Sequence, residues 1–192
     1  MMFRSVSILA LLLIPGCGSP PLRPDYAAQS QGWCDEAESE SDPSKALALY
    51  GLALEADPAM ARAHLGRAAI LEKQSRYSEA ERAYSLAVEY ALDNRKAEVL
   101  VERAGYHQRQ ARHEAAIRDL DKALSLLSTW PVEGRIVDAR LRRAESRLAL
   151  RNWSDAALDA EAALLAGPDG DQRRRAVDVI ERARRLRQEE RK

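Results

Sequence analysis

Small apolar residues recur along this chain at helical spacing, and the arrangement itself repeats. Ala46, Ala80, Ala116 and Ala156 are followed, at three- and four-residue steps, by Tyr50 and Ala53, Tyr84 and Ala87, Leu120 and Ala123, and Ala160 and Ala163. Upstream of each leading alanine stands another small residue: Cys34, Ala68, Ala104 and Ala144. The leading alanines are 34, 36 and 40 residues apart (80−46, 116−80, 156−116). The short steps predict amphipathic helices. The long period predicts stacked helical hairpins rather than one globular core. Alanine suits the points where two helices cross, because only a small side chain lets the backbones approach. Pro43, Pro58, Pro131, Gly167-Pro168 and Gly170 fall at the expected joints, and no strand-like alternation competes.

The second unit, Ala61 to Val88, carries a more specific pattern in Tyr77-Ser-Glu-Ala80, Tyr84 and Ala87. Trp153-Ser-Asp-Ala156 repeats it in the fourth unit and His113-Glu-Ala-Ala116 weakly in the third. Pro58 and Pro168 each follow their leading alanine at the same distance; Leu92 and Ser128 stand there in the middle units. These residues resemble the tetratricopeptide repeat, a helix–turn–helix unit. The resemblance implies an all-α fold: a tetratricopeptide-repeat helical-hairpin solenoid of about 3.5 repeats. Its units fall near residues 27–60, 61–94, 97–130 and 137–170, within a domain of residues 27–170. Residues around Gly32-Trp33-Cys34 make a poor front helix, so the first unit reads as a degenerate terminal repeat. The extra residues at Arg95-Lys96 and from Pro131 to Ile136 read as lengthened joints. Residues 171–192 read as a basic helix that caps the stack, with Ala176, Val179, Ile180 and Ala183 on its apolar side.

The front end reads as an address. Arg4 precedes an apolar run from Val6 to Ile14 that is too short to span a bilayer, and the run ends in Ile14-Pro15-Gly16-Cys17. Residues 1–16 resemble a bacterial lipoprotein signal peptide, which implies acylation of Cys17. An ordinary signal peptide cleaved elsewhere is the alternative. Gly18 after the cysteine implies the outer membrane, with the domain facing the periplasm. Residues 17–26 include Ser19-Pro20-Pro21-Leu22-Arg23-Pro24, a tether stiffened by prolines that reaches about 3 Å per residue. Several buried acyl chains anchor a protein firmly, at about 0.8 kcal/mol per methylene. With Cys17 lipidated, Cys34 is left as a lone thiol at a packing position.

Charge is balanced overall, with 30 basic and 30 acidic residues among 192, which argues against nucleic acid as a partner. Its distribution is uneven. Asp35, Glu36, Glu38, Glu40, Asp42, Glu55 and Asp57 face Lys45 alone in the first unit, whereas arginines crowd the last helix. The basic end reads either as a solvated cap or as a docking surface for an acidic partner or anionic polymer.

Arg67, Arg103 and Arg143 each directly precede the small front-helix alanine. Asp119 and Asp159 lie 16 residues after Arg103 and Arg143, which predicts two ion pairs between the helices of a hairpin; Arg67 meets Ala83 instead. An anion-binding ladder is the functional alternative. No catalytic constellation emerges. His64, His107 and His113 are scattered, and no metal, phosphate-loop or nucleophile motif is present, so the chain reads as a non-enzyme without a cofactor.

The resemblance implies that the front helices line a concave groove. Its lining is then Arg62, Leu65, Ala69, Glu72 and Lys73, then Glu98, Val101, Gly105, Gln108 and Arg109, then Asp138, Leu141, Glu145, Leu148 and Ala149. Gly105 reads as a close approach, by a neighbouring helix or by a ligand. Gln31, Asp35 and Gly66 stand where members that hold a C-terminal carboxylate carry donors, which disfavours that ligand. The expectation is a lipid-anchored adaptor or scaffold of the bacterial envelope that holds a protein or peptide segment through Leu65, Val101, Leu141 and Leu148. The alternatives are a cell-wall-associated lipoprotein that binds anionic polymer through its last helix, and a regulator of an envelope enzyme. A short stack also leaves an edge-to-edge homodimer open.

Overall fold

The structure is a computed structural model that describes residues 24–129 and 131–190. The signal peptide and Cys17 lie outside the described residues. The described residues form helices α1 (Pro24–Ser39), α2 (Pro43–Ala56), α3 (Ala61–Lys73), α4 (Tyr77–Tyr90), α5 (Asp93–Arg109), α6 (His113–Thr129), α7 (Glu133–Ala149), α8 (Trp153–Leu165) and α9 (Gly170–Glu189). They pair as α1–α2, α3–α4, α5–α6 and α7–α8, with α9 laid against α7 and α8. This is the solenoid of stacked helical hairpins that the period predicts.

Three hairpin turns share one geometry. Ser75, Ala111 and Arg151 each adopt a left-handed backbone, with φ of 61°, 55° and 60°. In each, the next residue donates its N–H back five positions: Arg76 to Leu71, Arg112 to His107 and Asn152 to Arg147, at 2.8–2.9 Å. A second bond spans three positions, from the N–H of Ser75 to Glu72, of Ala111 to Gln108 and of Arg151 to Leu148. This double closure satisfies the last carbonyls of the front helix and fixes the angle at which the second helix returns. Side-chain caps start other helices. Asp42 accepts from the Ser44 N–H at 2.8 Å ahead of α2, and Asp169 and Gln172 form a reciprocal box at the start of α9.

Two expectations need correction. Most of the extra residues between units lengthen helices rather than joints. Arg95 and Lys96 lie in the first turns of α5, and residues 133–136 open α7, so both helices run 17 residues against 13 in α3. Ala97 and Val137 are buried near these starts, which draws the added turns into helix. The first front helix is also better formed than expected. α1 is continuous through Gly32 because Cys34 and Ala37 bury their side chains against the next unit, which offsets the local cost of about 1 kcal/mol.

The core is a row of clusters that follow one another along the stack, most of them joining residues of adjacent units. Cys34, Ala37, Tyr50 and Ala53 pack with Ala63 of the following unit; Ala68, Leu71 and Tyr84 pack with Tyr106; and Val137, Leu141 and Ala160 pack with Val179 and Ile180. Tyr106 is the joint between units 2 and 3. It is fully buried, its hydroxyl donates to the Tyr77 carbonyl at 2.9 Å, and its ring lies 4.9 Å from that of Tyr84. Burial pushes the Cys34 thiol up, and its sulfur lies 3.4 Å from Met60 Sδ, so it behaves as a packing group.

Candidate functional site

Front helices touch their successors: α1 meets α3, α5 meets α7, and α7 meets α9. Among the described residues no second helix makes a comparable contact with the next. The front helices therefore form the inner side of the curve.

The residues expected to line this side divide into three groups. Most polar members cross-brace successive front helices. Arg62 on α3 donates to Glu38 on α1 at 2.6 and 2.7 Å and pairs with Asp35 at 2.7 Å. Arg109 on α5 forks onto Glu72 on α3 at 2.5 and 2.8 Å, and the Tyr84 hydroxyl donates to the same carboxylate at 3.0 Å. Arg135 on α7 pairs with Glu98 on α5 at 3.0 Å, while the Gln108 amide donates to the Arg142 carbonyl at 2.7 Å and to Ser146 at 2.9 Å. Arg175 on α9 reaches Glu145 at 2.9 Å and Asp138 at 3.4 Å. The guanidinium of Arg109 holds the Glu72 carboxyl below the usual carboxylate range, and Arg62 does the same to Glu38. These forked contacts set the register between units.

The second group is a correction. Val101, Gly105, Leu141 and Leu148 are buried, and Leu141 is fully enclosed, so these residues hold neighbouring helices together and leave no surface for a partner. Gly105 marks a close approach by the protein itself: a Cβ there would meet Arg142 Nη1 at 2.8 Å and Arg109 Nη1 at 3.2 Å. The third group, Leu65, Ala69, Lys73 and Ala149, keeps accessible surface.

One recess on this side has the character of a binding site. It lies where the start of α3, the α4–α5 joint and the start of α5 converge beside Gln31 of α1, and it measures about 360 Å³. Met60, Leu65, Tyr90, Leu92 and Val99 supply apolar wall, and Asp57, Arg62, Arg95 and Glu98 stand at its edges. Leu92 is 73% exposed and Tyr90 is 38% exposed, so the apolar wall is open to solvent. Arg62, Leu65 and Glu98 were legible as lining residues. Met60, Tyr90, Leu92, Arg95 and Val99 were missed, because the joint they occupy becomes a wall only after the chain turns from α4 into the lengthened α5. The apolar residue at position 92, where other units carry proline, was the available signal.

His64 sits behind this wall. Its Nε2 lies 2.9 Å from the Pro58 carbonyl, its ring stacks on Tyr90 at 5.6 Å, and burial holds its pKa below the ordinary value. Together these contacts fix the Tyr90 ring against α3.

No family model matches this chain, and no curated protein sequence does. The fold is similar to that of a solved structure described as "YrrB: a TPR protein with an unusual peptide-binding site", at a TM-score of 0.56 and 17% identity, covering 82% of each chain. No described helix is long and apolar enough to cross a membrane.

Proposed function

We propose that this protein is a non-enzymatic adaptor that takes a peptide segment of a partner protein into the cleft formed by Met60, Leu65, Tyr90 and Leu92. The observation that carries this reading is the exposed apolar wall at Leu92 and Tyr90, bordered by charges of both signs, on a fold whose inner-face polar residues are mostly engaged with each other. A segment with an apolar side chain flanked by charged residues fits such a wall: the apolar group fills the recess and the edge charges set direction. In this reading Cys17 carries the acyl chains, the proline-rich tether holds the domain close to the periplasmic face of the outer membrane, and the partner is thereby concentrated at that surface. The signal-like residues 1–16 and Gly16-Cys17 support the anchor.

The test compares capture from detergent-solubilised envelopes by the native protein and by a Leu65→Glu/Leu92→Glu variant, with circular dichroism verifying the fold of both. A partner captured by the first and lost by the second supports the cleft. Equal capture by both moves the site elsewhere, and a steep loss of capture with salt points to the exposed Arg173, Arg185 and Arg187 of α9. Replacing Cys17 with serine should move the protein from the membrane fraction to the soluble one; retention would refute the acyl anchor.

A further inference from the structure

The arginines on the outer side of the stack contain their own control, because the repeats can be compared position by position. In unit 4 the charges are matched. Arg143 donates to Asp159 at 2.5 and 2.8 Å and to Asp121 of the preceding unit at 2.6 Å, and Arg147 donates to Asp159 at 2.7 Å. One unit earlier the same positions read differently. Arg103 has Asp119, but Ser85 stands in place of Asp121 and His107 in place of Arg147. On α6, Arg118 and Lys122 replace what are Leu158 and Ala162 on α8.

These differences leave a cavity of about 390 Å³ between α4 and α6, with α5 as its floor. Its wall carries four cations, Arg103, Arg112, Arg118 and Lys122, against two carboxylates. Both carboxylates are engaged, Asp119 by Arg103 at 2.6 Å and Glu81 by Arg112 at 2.8 Å. Among the described residues, Arg118 and Lys122 have no carboxylate within ion-pair distance, and both are exposed at the mouth. Two wall residues also hold buried polar atoms without a hydrogen-bond partner, His107 Nδ1 and Arg112 Nε. His107 Nε2 is 3.6 Å from Asp119 Oδ2, too far for a hydrogen bond. Unmatched positive charge around a recess, with two unpaired polar atoms buried behind its wall, is complementary to a compact anion of more than one charge. A single carboxylate would leave one of the two free cations uncompensated.

We propose that the cavity between α4 and α6 binds a phosphate-class oxyanion, free or as a phosphomonoester head group, through Arg118 and Lys122 with Arg112 and His107 behind them. The site shares no residue with the peptide cleft and stands or falls independently of it. His107 reports on occupancy. Burial holds its pKa down, with Arg112 and Arg103 acting in the same direction and Asp119 and Glu81 opposing. Arg118 and Lys122 line the same cavity. A bound dianion reverses the balance and raises the pKa.

The experiment titrates inorganic phosphate into the full chain at constant ionic strength and follows both the melting temperature and the His107 imidazole resonance. At about ten times the dissociation constant the expected rise in Tm is about 3–6 °C, accompanied by an upward shift of the His107 pKa. An Arg118→Gln/Lys122→Gln variant keeps its basal Tm, since neither residue is paired, and loses both responses. An Arg173→Gln/Arg185→Gln variant on α9 keeps them. Vesicles of phosphatidylcholine with phosphatidic acid distinguish the source: binding competed by inorganic phosphate assigns a head group, and binding of free phosphate alone assigns a soluble ligand. Absence of a phosphate response in the native protein, or an equal response in the Arg118/Lys122 variant, overturns the proposal.

Discussion

Arg103 grips Asp119 through two parallel hydrogen bonds, 2.7 Å from Nε and 2.6 Å from Nη2, across the two helices of one hairpin. Asp119 is 4% exposed, so its charge has little access to water, and Arg103 supplies the compensation. Asp119→Ala strands a largely buried guanidinium and should cost about 3 kcal/mol in urea unfolding. The Arg103→Leu/Asp119→Leu pair should recover most of that loss, because neither charge then remains to be desolvated. Asp121→Ala removes a half-exposed partner of Arg143 and should cost under about 1 kcal/mol. Equal losses for Asp119→Ala and Asp121→Ala would refute the burial argument.

The left-handed turns make a prediction about backbone alone. Ser75, Ala111 and Arg151 are exposed and hold positive φ without being glycine. Each conformation costs about 1–2 kcal/mol for an L-residue, of which the greater freedom of glycine in the unfolded chain returns part. Ser75→Gly, Ala111→Gly and Arg151→Gly should each therefore stabilise by about 0.5–1 kcal/mol. Gly167 sits at φ 75° with open space around it, so Gly167→Ala should destabilise with no steric contribution. Thermal unfolding of the four single variants tests the sign of each.

Gly66 faces the ring of Tyr50, and a Cβ at that position would fall inside the van der Waals shell of the phenol carbons and hydroxyl. Tyr50 is buried and cannot swing into solvent without opening the first joint of the stack. Gly66→Ala should cost about 1–3 kcal/mol by overpacking. In a Tyr50→Leu background the added cost should disappear. Additive losses in the double variant would show that the penalty comes from elsewhere.

His64 and His107 give the stack a dependence on mild acid. Both are buried, and burial lowers both below the ordinary histidine value of 6.5. A lowered folded-state pKa means that the unfolded chain binds protons first as pH falls. The stability these residues confer as neutral groups is complete above about 6.5 and declines as pH drops through their folded values. The melting temperature measured from pH 8 to pH 5 should fall in that window, and a His64→Gln/His107→Gln variant should be flatter. Glu72 and Glu38 add a second decline below 4.5, as protonation releases Arg109 and Arg62. An unchanged slope in the histidine variant would remove these residues from the acid response.

The sequence by itself determined that the chain folds as repeated helical hairpins and that Arg103 meets Asp119 and Arg143 meets Asp159. Each of these follows from spacing along helices whose small residues recur at one period, and such local relationships survive without knowledge of the rest of the chain. Tertiary structure decided which inner-side residues are free. Val101, Leu141 and Leu148 share the helical face expected for a groove, yet the neighbouring hairpins close over them, and how far two hairpins rotate against each other is set by packing between units. The cross-braces from Arg62, Arg109 and Arg175 join residues from different hairpins through side chains long enough to choose among several acids, a choice that spacing leaves open. The open wall at Tyr90 and Leu92 arises for the same reason: it is made where one hairpin hands the chain to the next, and only the angle of that turn exposes it.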